Sequence, residues 1–300
     1  MAAKIQSGAR PHLACEITPH RVIAARATEK FNGLEVFTTR QLNEGAVLPS
    51  LTAPNIQDSS ALRNALSGAL SVIGGKSRDV IAVLPDTAIR VLLLDFEDLP
   101  AKPQESESVV RFRLKKSLPF DSEDAALSYD ARRVNGTVQV VAAVSPREVV
   151  QEYEEAFRDV GYAPGMVMPS CLAVLGLVDG ERPTLVLKVD RTNVTVAAAV
   201  SHELRLIRTL DNPSGENVSA GELAETVLPS IMFFEDSFGA RIERIFVSGL
   251  TSIDEIGPML HQHTGARVEE LVPEISPSQN LSGNKIEPAV VAGVAGALLG

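Results

Sequence analysis

Tryptophan is absent from this sequence, cysteine occurs only twice, and acidic residues outnumber basic ones by 38 to 28. Cys15 and Cys171 lie within apolar runs (Leu13-Ala14-Cys15 and Cys171-Leu172-Ala173-Val174-Leu175), which predicts buried free thiols in a reducing cytoplasm rather than a disulfide framework. The formal charge of −10 leaves the body of the protein without the basic footprint that replaces counterions on nucleic acid. No apolar run is long enough to cross a bilayer, which takes about 20 residues. The longest such run, residues 289–299, is built of small side chains that suit a tightly packed core helix. The first ten residues hold Lys4 and Arg10 but no apolar stretch, so no secretory leader is expected. Metal-ligand spacing is missing too. His12, His20 and His202 have no companion cysteines or acids, and His261 and His263 stand two apart on a predicted helix, where side chains do not converge. Spacing reveals no nucleophile, base and acid set, including around Ser170-Cys171.

What is present is ordinary for a globular protein, with 45% hydrophobic and 22% charged residues, and the length suits two or three compact units. Its most informative feature is a duplication. Residues 12–17, 20–27 and 34–42 read as a strand meander with turns at Thr18-Pro19 and Asn32-Gly33. Asp58 or Ser59 caps a helix with Leu62, Leu66, Ala69, Leu70 and Ile73 on one face, closed by Gly74-Gly75, and residues 79–84 form a buried strand. The order returns in residues 184–189, 193–200 and 203–210. A Ser219/Glu222 capping box then opens a helix carrying Leu223, Val227, Ile231 and Phe234, and a strand follows at 245–247. Further helices are expected at 254–264 and 288–299, and the Ser-, Pro- and Asn-rich residues 273–285 read as a loop. Two such halves face each other across a cleft of the kind that commonly holds a nucleotide between two strand turns.

Residues 86–162 interrupt the repeat. A strand at 89–95, a helix at 103–117 and a hairpin of 125–134 and 137–144 turning at Asn135-Gly136 make a small α+β unit. Ser145-Pro146-Arg147-Glu148 reads as a capping box opening a helix with Val149, Tyr153, Phe157 and Val160 inward, stopped by Gly161. The expected division is therefore 1–85, 86–162 and 163–300. Gly74-Gly75-Lys76-Ser77 imitates a phosphate-binding loop, but the pattern needs a glycine where Leu70 stands and a preceding strand, so it reads as a helix end. The one basic cluster, Arg111-Phe112-Arg113-Leu114-Lys115-Lys116, reads either as a solvated helix face or as a contact for a partner or anionic headgroups.

Taken in order, these elements resemble the actin-like ATPase superfamily (the ribonuclease H-like fold), and within it the PilM type of pilus assembly protein. The resemblance rests on Leu118-Pro119-Phe120-Asp121 after a basic helix, then Leu127-Ser128-Tyr129-Asp130 on a strand, as in that family's small inserted subdomain. Val83-Leu84-Pro85, Val141-Ala142-Ala143, Val160-Gly161, Val247-Ser248-Gly249 and Pro288-Ala289-Val290-Val291-Ala292-Gly293 follow in the expected sequence. The resemblance implies a duplicated actin-like core with a small inserted subdomain. It also implies a cytoplasmic protein beneath the inner membrane that grips the cytoplasmic tail of a single-span platform protein and contacts motor components. Arg113, Leu118, Pro119 and Phe120 are the expected tail-binding residues, in a groove between the first repeat and the small unit.

The chain departs from the family at the nucleotide. Where the first phosphate turn reads Asp-Ile-Gly with a following lysine, this chain has Glu16-Ile17-Thr18-Pro19 and then Ile23, so the glycine and one N–H donor are gone. At the second turn Lys188-Val189-Asp190 replaces Asp-Ile-Gly, and the adenosine-side Gly-Gly is Gly249-Leu250. The expectation is a pseudo-ATPase with no catalytic residue, metal or cofactor. The alternative is a working Mg·ATP enzyme with Glu16 and Asp190 sharing the metal.

Overall fold

The computed structural model describes residues 10–75, 77–134, 136–215, 218–250, 252–273, 279–282 and 288–300. Lys76, Asn135 and most of the expected 273–285 loop lie outside these residues.

The first meander forms three antiparallel strands, β1 (Leu13–Ile17), buried along its whole length, β2 (Arg21–Ala27) and β3 (Leu34–Gln41). Asp58 then caps α1 (Ser59–Ile73), its carboxylate accepting from the N–H groups of Ser60 and Ala61, and the predicted apolar face of the helix is buried. Next, β4 (Asp79–Leu84) pairs parallel to β1.

The interruption forms its own three-stranded sheet. β5 (Arg90–Phe96) and the hairpin of β6 (Ala125–Val134) and β7 (Thr137–Pro146) stand in the order β5-β7-β6. Helix α2 (Pro103–Leu114) lays Val110 and Leu114 on that sheet, against Val138, Val140 and Ala142. Arg111 turns inward from α2, where its guanidinium donates to the Ser122 and Ala125 carbonyls and ties down the loop that follows.

Helix α3 (Arg147–Asp159) buries Val149, Tyr153 and Phe157 beside Leu62 and Leu66 of α1. No side chain caps it. Because β7 continues pairing with β6 through Pro146, Ser145 is held extended, and its buried hydroxyl donates to the Ala88 carbonyl instead of accepting from the N–H groups of the helix. Strand β8 (Ala163–Pro169), which sequence reading missed, pairs parallel to β4 and completes a five-stranded sheet in the order β3-β2-β1-β4-β8. It leads into the short helix α4 (Ser170–Leu175). The expected division at residue 162 therefore cuts through the first sheet and its helical cover; the small sheet itself ends at Pro146.

The second half repeats the plan. β9 (Thr184–Val189), β10 (Asn193–Val200) and β11 (Glu203–Asp211) are followed by α5 (Ala220–Phe238), with both hydrogen bonds of the Ser219/Glu222 capping box present. β12 (Arg244–Ser248), α6 (Ile256–Thr264) and β13 (Arg267–Glu270) complete a sheet in the order β11-β10-β9-β12-β13. A single 3₁₀ turn, Pro288–Val291, leads into α7 (Ala292–Leu299), which crosses back to pack on β1, β2 and β4 of the first sheet. Its small residues bring two helix backbones into contact: a Cβ on Gly296 would stand 1.9 Å from the Ala173 carbonyl oxygen of α4. Among the described residues no helix is long and apolar enough to cross a membrane.

Candidate functional site

The two meanders present their first turns, β1–β2 and β9–β10, to one cleft of about 330 Å³. Glu16, Thr18, Lys188, Asp190 and Gly249, expected at the drifted nucleotide positions, all line it. Each is placed there by its strand: Glu16 near the end of β1, Lys188 near the end of β9, and Gly249 directly after β12. Gly249 has φ +90°, and a Cβ there would lie 1.9 Å from the Val189 carbonyl oxygen, so only glycine lets β12 end against β9. His20, Arg21 and Arg191 add basic character to the cleft wall, while Val174, Val290 and Leu250 make part of it apolar.

At the cleft floor lies a cluster of one ammonium and three carboxylates. Lys188 Nζ pairs with Asp190 and stands 3.4 Å from Asp86 Oδ2. Burial alone would lower the Lys188 pKa, but Asp190, Asp86 and Glu16 together outweigh it and push the group upward, so the ammonium keeps its charge. Asp86 is the hub. Its Oδ1 accepts from the Cys171 backbone N–H at 2.7 Å and its Oδ2 from Thr195 Oγ1 at 3.1 Å. Glu16 is 4% exposed and accepts a hydrogen bond from Ser170 Oγ. Burial pushes the Glu16 carboxyl up to about 7, with the Lys188 charge and the Ser170 hydroxyl partly opposing the rise. Both cysteines are free and buried, and burial raises both thiols.

Magnesium with a triphosphate is the group this kind of cleft would hold, and the residues present do not fit it. Lys188 already stands between the carboxylates that would face the metal. Asp190 adds a further acid to the cleft wall, and it is committed to Lys188 rather than free to hold a metal. The Thr18 N–H, on the first turn, is spent on the Arg21 carbonyl, and Pro19 has none to give. Helix α7 closes the space over Glu16, since a Cβ on Gly293 would fall 2.2 Å from Oε2. Among the described residues no group of three or more His, Cys, Asp or Glu side chains is arranged to hold a metal ion.

Sequence reading missed Asp86, Ser170 and Thr195. Asp86 had a signal, since it follows Leu84-Pro85 at the carboxyl end of a buried parallel strand, where ligands meet open α/β sheets. Of the expected tail-binding residues, Arg113 and Pro119 are exposed and Phe120 is half-buried. Leu118 packs against the small sheet's core.

No protein-family profile matches the chain, and no curated protein matches it. Solved structures do. The chain is similar to one in the PilM–PilN type IV pilus biogenesis complex, with a TM-score of 0.77 at 18% identity over 96% of this chain and 98% of that one. It is also similar to the cytoplasmic domain of EpsL, an inner-membrane component of the Vibrio cholerae type II secretion system, with a TM-score of 0.54 at 12% identity over 96% and 94%. A Bacteroides thetaiotaomicron protein of actin-like ATPase fold and unknown function gives 0.55 at 8% identity over 95% and 94%. The chain therefore has the actin-like fold, a duplicated core with a small inserted sheet, in the form seen in the PilM–PilN complex.

Proposed function

We propose that this protein is a nucleotide-independent adaptor of a type IV pilus or related secretion machine. It works at the cytoplasmic face of the inner membrane, where it binds the cytoplasmic tail of a single-span platform protein. One observation carries the reading. The likeness to a chain solved as one part of a two-protein pilus complex extends over nearly all of both chains, and the uncovered share is smaller than the inserted sheet alone. Independence from nucleotide is supported by Lys188, whose charge is neutralised internally and so is not offered to a phosphate.

The tail runs extended between the first sheet and the small sheet, beside Arg113, Leu118, Pro119 and Phe120. Backbone bonds supply its affinity and alternate side chains its specificity. Leu118 acts indirectly, by fixing the loop on the small core. The test is a fluorescence-anisotropy titration with labelled peptides matching the cytoplasmic tails of single-span inner-membrane proteins from the pilus and secretion machines of the same cell. Saturable binding of one tail is expected, unchanged by Mg·ATP and weakened about tenfold or more by Phe120→Ala, as for a single apolar anchor. Failure of every tail, or binding that requires nucleotide, contradicts the proposal.

A further inference from the structure

The acid–ammonium cluster joins two separately folded sheets. Glu16 and Asp86 belong to the first, on β1 and just after β4, whereas Lys188, Asp190 and Thr195 belong to the second, on β9, at its turn and on β10. An ion pair and a hydrogen bond converge from the second sheet on one carboxylate of the first: the Lys188 ammonium, which also hydrogen-bonds Asp190, lies 3.4 Å from Asp86 Oδ2, and the Thr195 hydroxyl donates to the same oxygen at 3.1 Å. The Cys171 N–H, at the start of the connecting helix α4, holds the other oxygen. All three are shielded from water, with the Asp86 side chain 1% and the Lys188 side chain 8% exposed.

We propose that Lys188 is a resident counter-ion that latches the cleft shut, bridging the two halves through Asp86 so that the closed arrangement is held with no ligand between them. Three features argue for a latch over a locally satisfied ion pair. The bridge crosses the cleft at its floor, so any hinge opening between the sheets must lengthen it. Opening would also strand Asp86, whose oxygens are bonded from both sides of the hinge. A hinge movement too small to admit water would leave a buried acid without its cation and its hydroxyl donor, which is costly. The neutral Thr195 bond duplicates the charged one, so the closed geometry is specified twice. The proposal deepens the nucleotide-independent reading on which it rests: a ligand that closes the cleft is unnecessary where a side chain already does so.

The experiment places spin labels on Ser67→Cys of α1 and Asp236→Cys of α5, two exposed positions on opposite halves, and measures their distance by pulsed electron resonance. Cys15 and Cys171 are buried, so labelling is confined to the introduced thiols. The full chain should give one narrow distance distribution, identical with and without Mg·ATP. Lys188→Met should broaden or shift it. Because Lys188→Met takes the cation from buried Asp86 and is expected to fold poorly, Lys188→Met/Asp86→Asn, which removes both charges of the bridge and leaves the more exposed Asp190 to solvent, is measured beside it, and Thr195→Val removes the neutral bond alone. The double variant should fold and show the broadened distribution, and Thr195→Val a smaller change of the same kind. An unchanged narrow distribution in the double variant overturns the latch, as does a full-length protein that is broad until nucleotide is added. Tail binding, read separately by anisotropy, distinguishes failure of the latch from failure of the adaptor reading.

Discussion

Replacing Glu16 by glutamine should raise stability at pH 8 and leave it nearly unchanged at pH 4. The carboxyl lies under α7 at 4% exposure, faces Lys188, Asp190 and Asp86, and is hydrogen-bonded by Ser170. Its folded pKa of about 7 lies above the ordinary value of 4.5. A raised folded pKa means that the folded protein holds this proton more tightly than the unfolded chain does. The associated stability is then fully present below pH 4.5 and is lost as the pH rises to about 7. The difference of about 2.5 units corresponds to roughly 3 kcal/mol at 1.36 kcal/mol per unit. Glutamine copies the protonated acid in shape and can still accept from Ser170, so it abolishes this dependence. Urea unfolding of both proteins between pH 4 and 8 is the assay. The wild type should lose stability across that window relative to Glu16→Gln, with the gap near 3 kcal/mol at pH 8. A gap that is constant with pH, or that opens in the opposite direction, would refute the assignment of a buried, proton-holding Glu16.

Two further predictions concern the framework. Gly296→Ala should destabilise the protein by about 2 kcal/mol or more despite the gain of about 1 kcal/mol in helix propensity, because the new methyl meets the Ala173 carbonyl at 1.9 Å. Thermal unfolding checks this against Gly33→Ala, where nothing lies within 4 Å. Ser219→Ala removes the cap of α5 and should cost about 1 kcal/mol by urea denaturation, with tail binding unaltered.

The sequence showed the duplication because each half carries strong local signals: short apolar strand runs bounded by turn residues in the meanders, a 3.6-residue apolar stripe in α1 and α5, and glycine or capping residues at their ends. The small residues of α7 announced close packing for the same reason, since a helix so poor in bulky side chains gains contact only by near approach of backbones. β8 escaped because Ala163-Pro164-Gly165 reads as a turn, and only its edge position and the irregular pairing with β4 between Val80 and Ile81 let proline serve there. Ser145 misled because its capping pattern is local while the competing pull, continued pairing with β6 and a bond to Ala88, comes from elsewhere in the fold.

At the site, the placing of Glu16, Thr18, Lys188, Asp190 and Gly249 at strand ends that face one cleft was legible residue by residue. The meaning of Lys188 was not, because it depends on Asp86, 102 positions away and joined to it only when two sheets meet. Burial, which sets the ionisation of Glu16, is likewise a product of α7 folding back across β1.

In the proposed latch Lys188 takes the place of a ligand. Isothermal titration of the full chain with Mg·ATP, and with ATP alone, tests it most directly, accompanied by thermal unfolding at the same concentrations because a ligand of the native state must raise stability with its occupancy. No saturable heat and no thermal shift are expected at millimolar nucleotide. Saturable binding of Mg·ATP with a matching rise in unfolding temperature would contradict it.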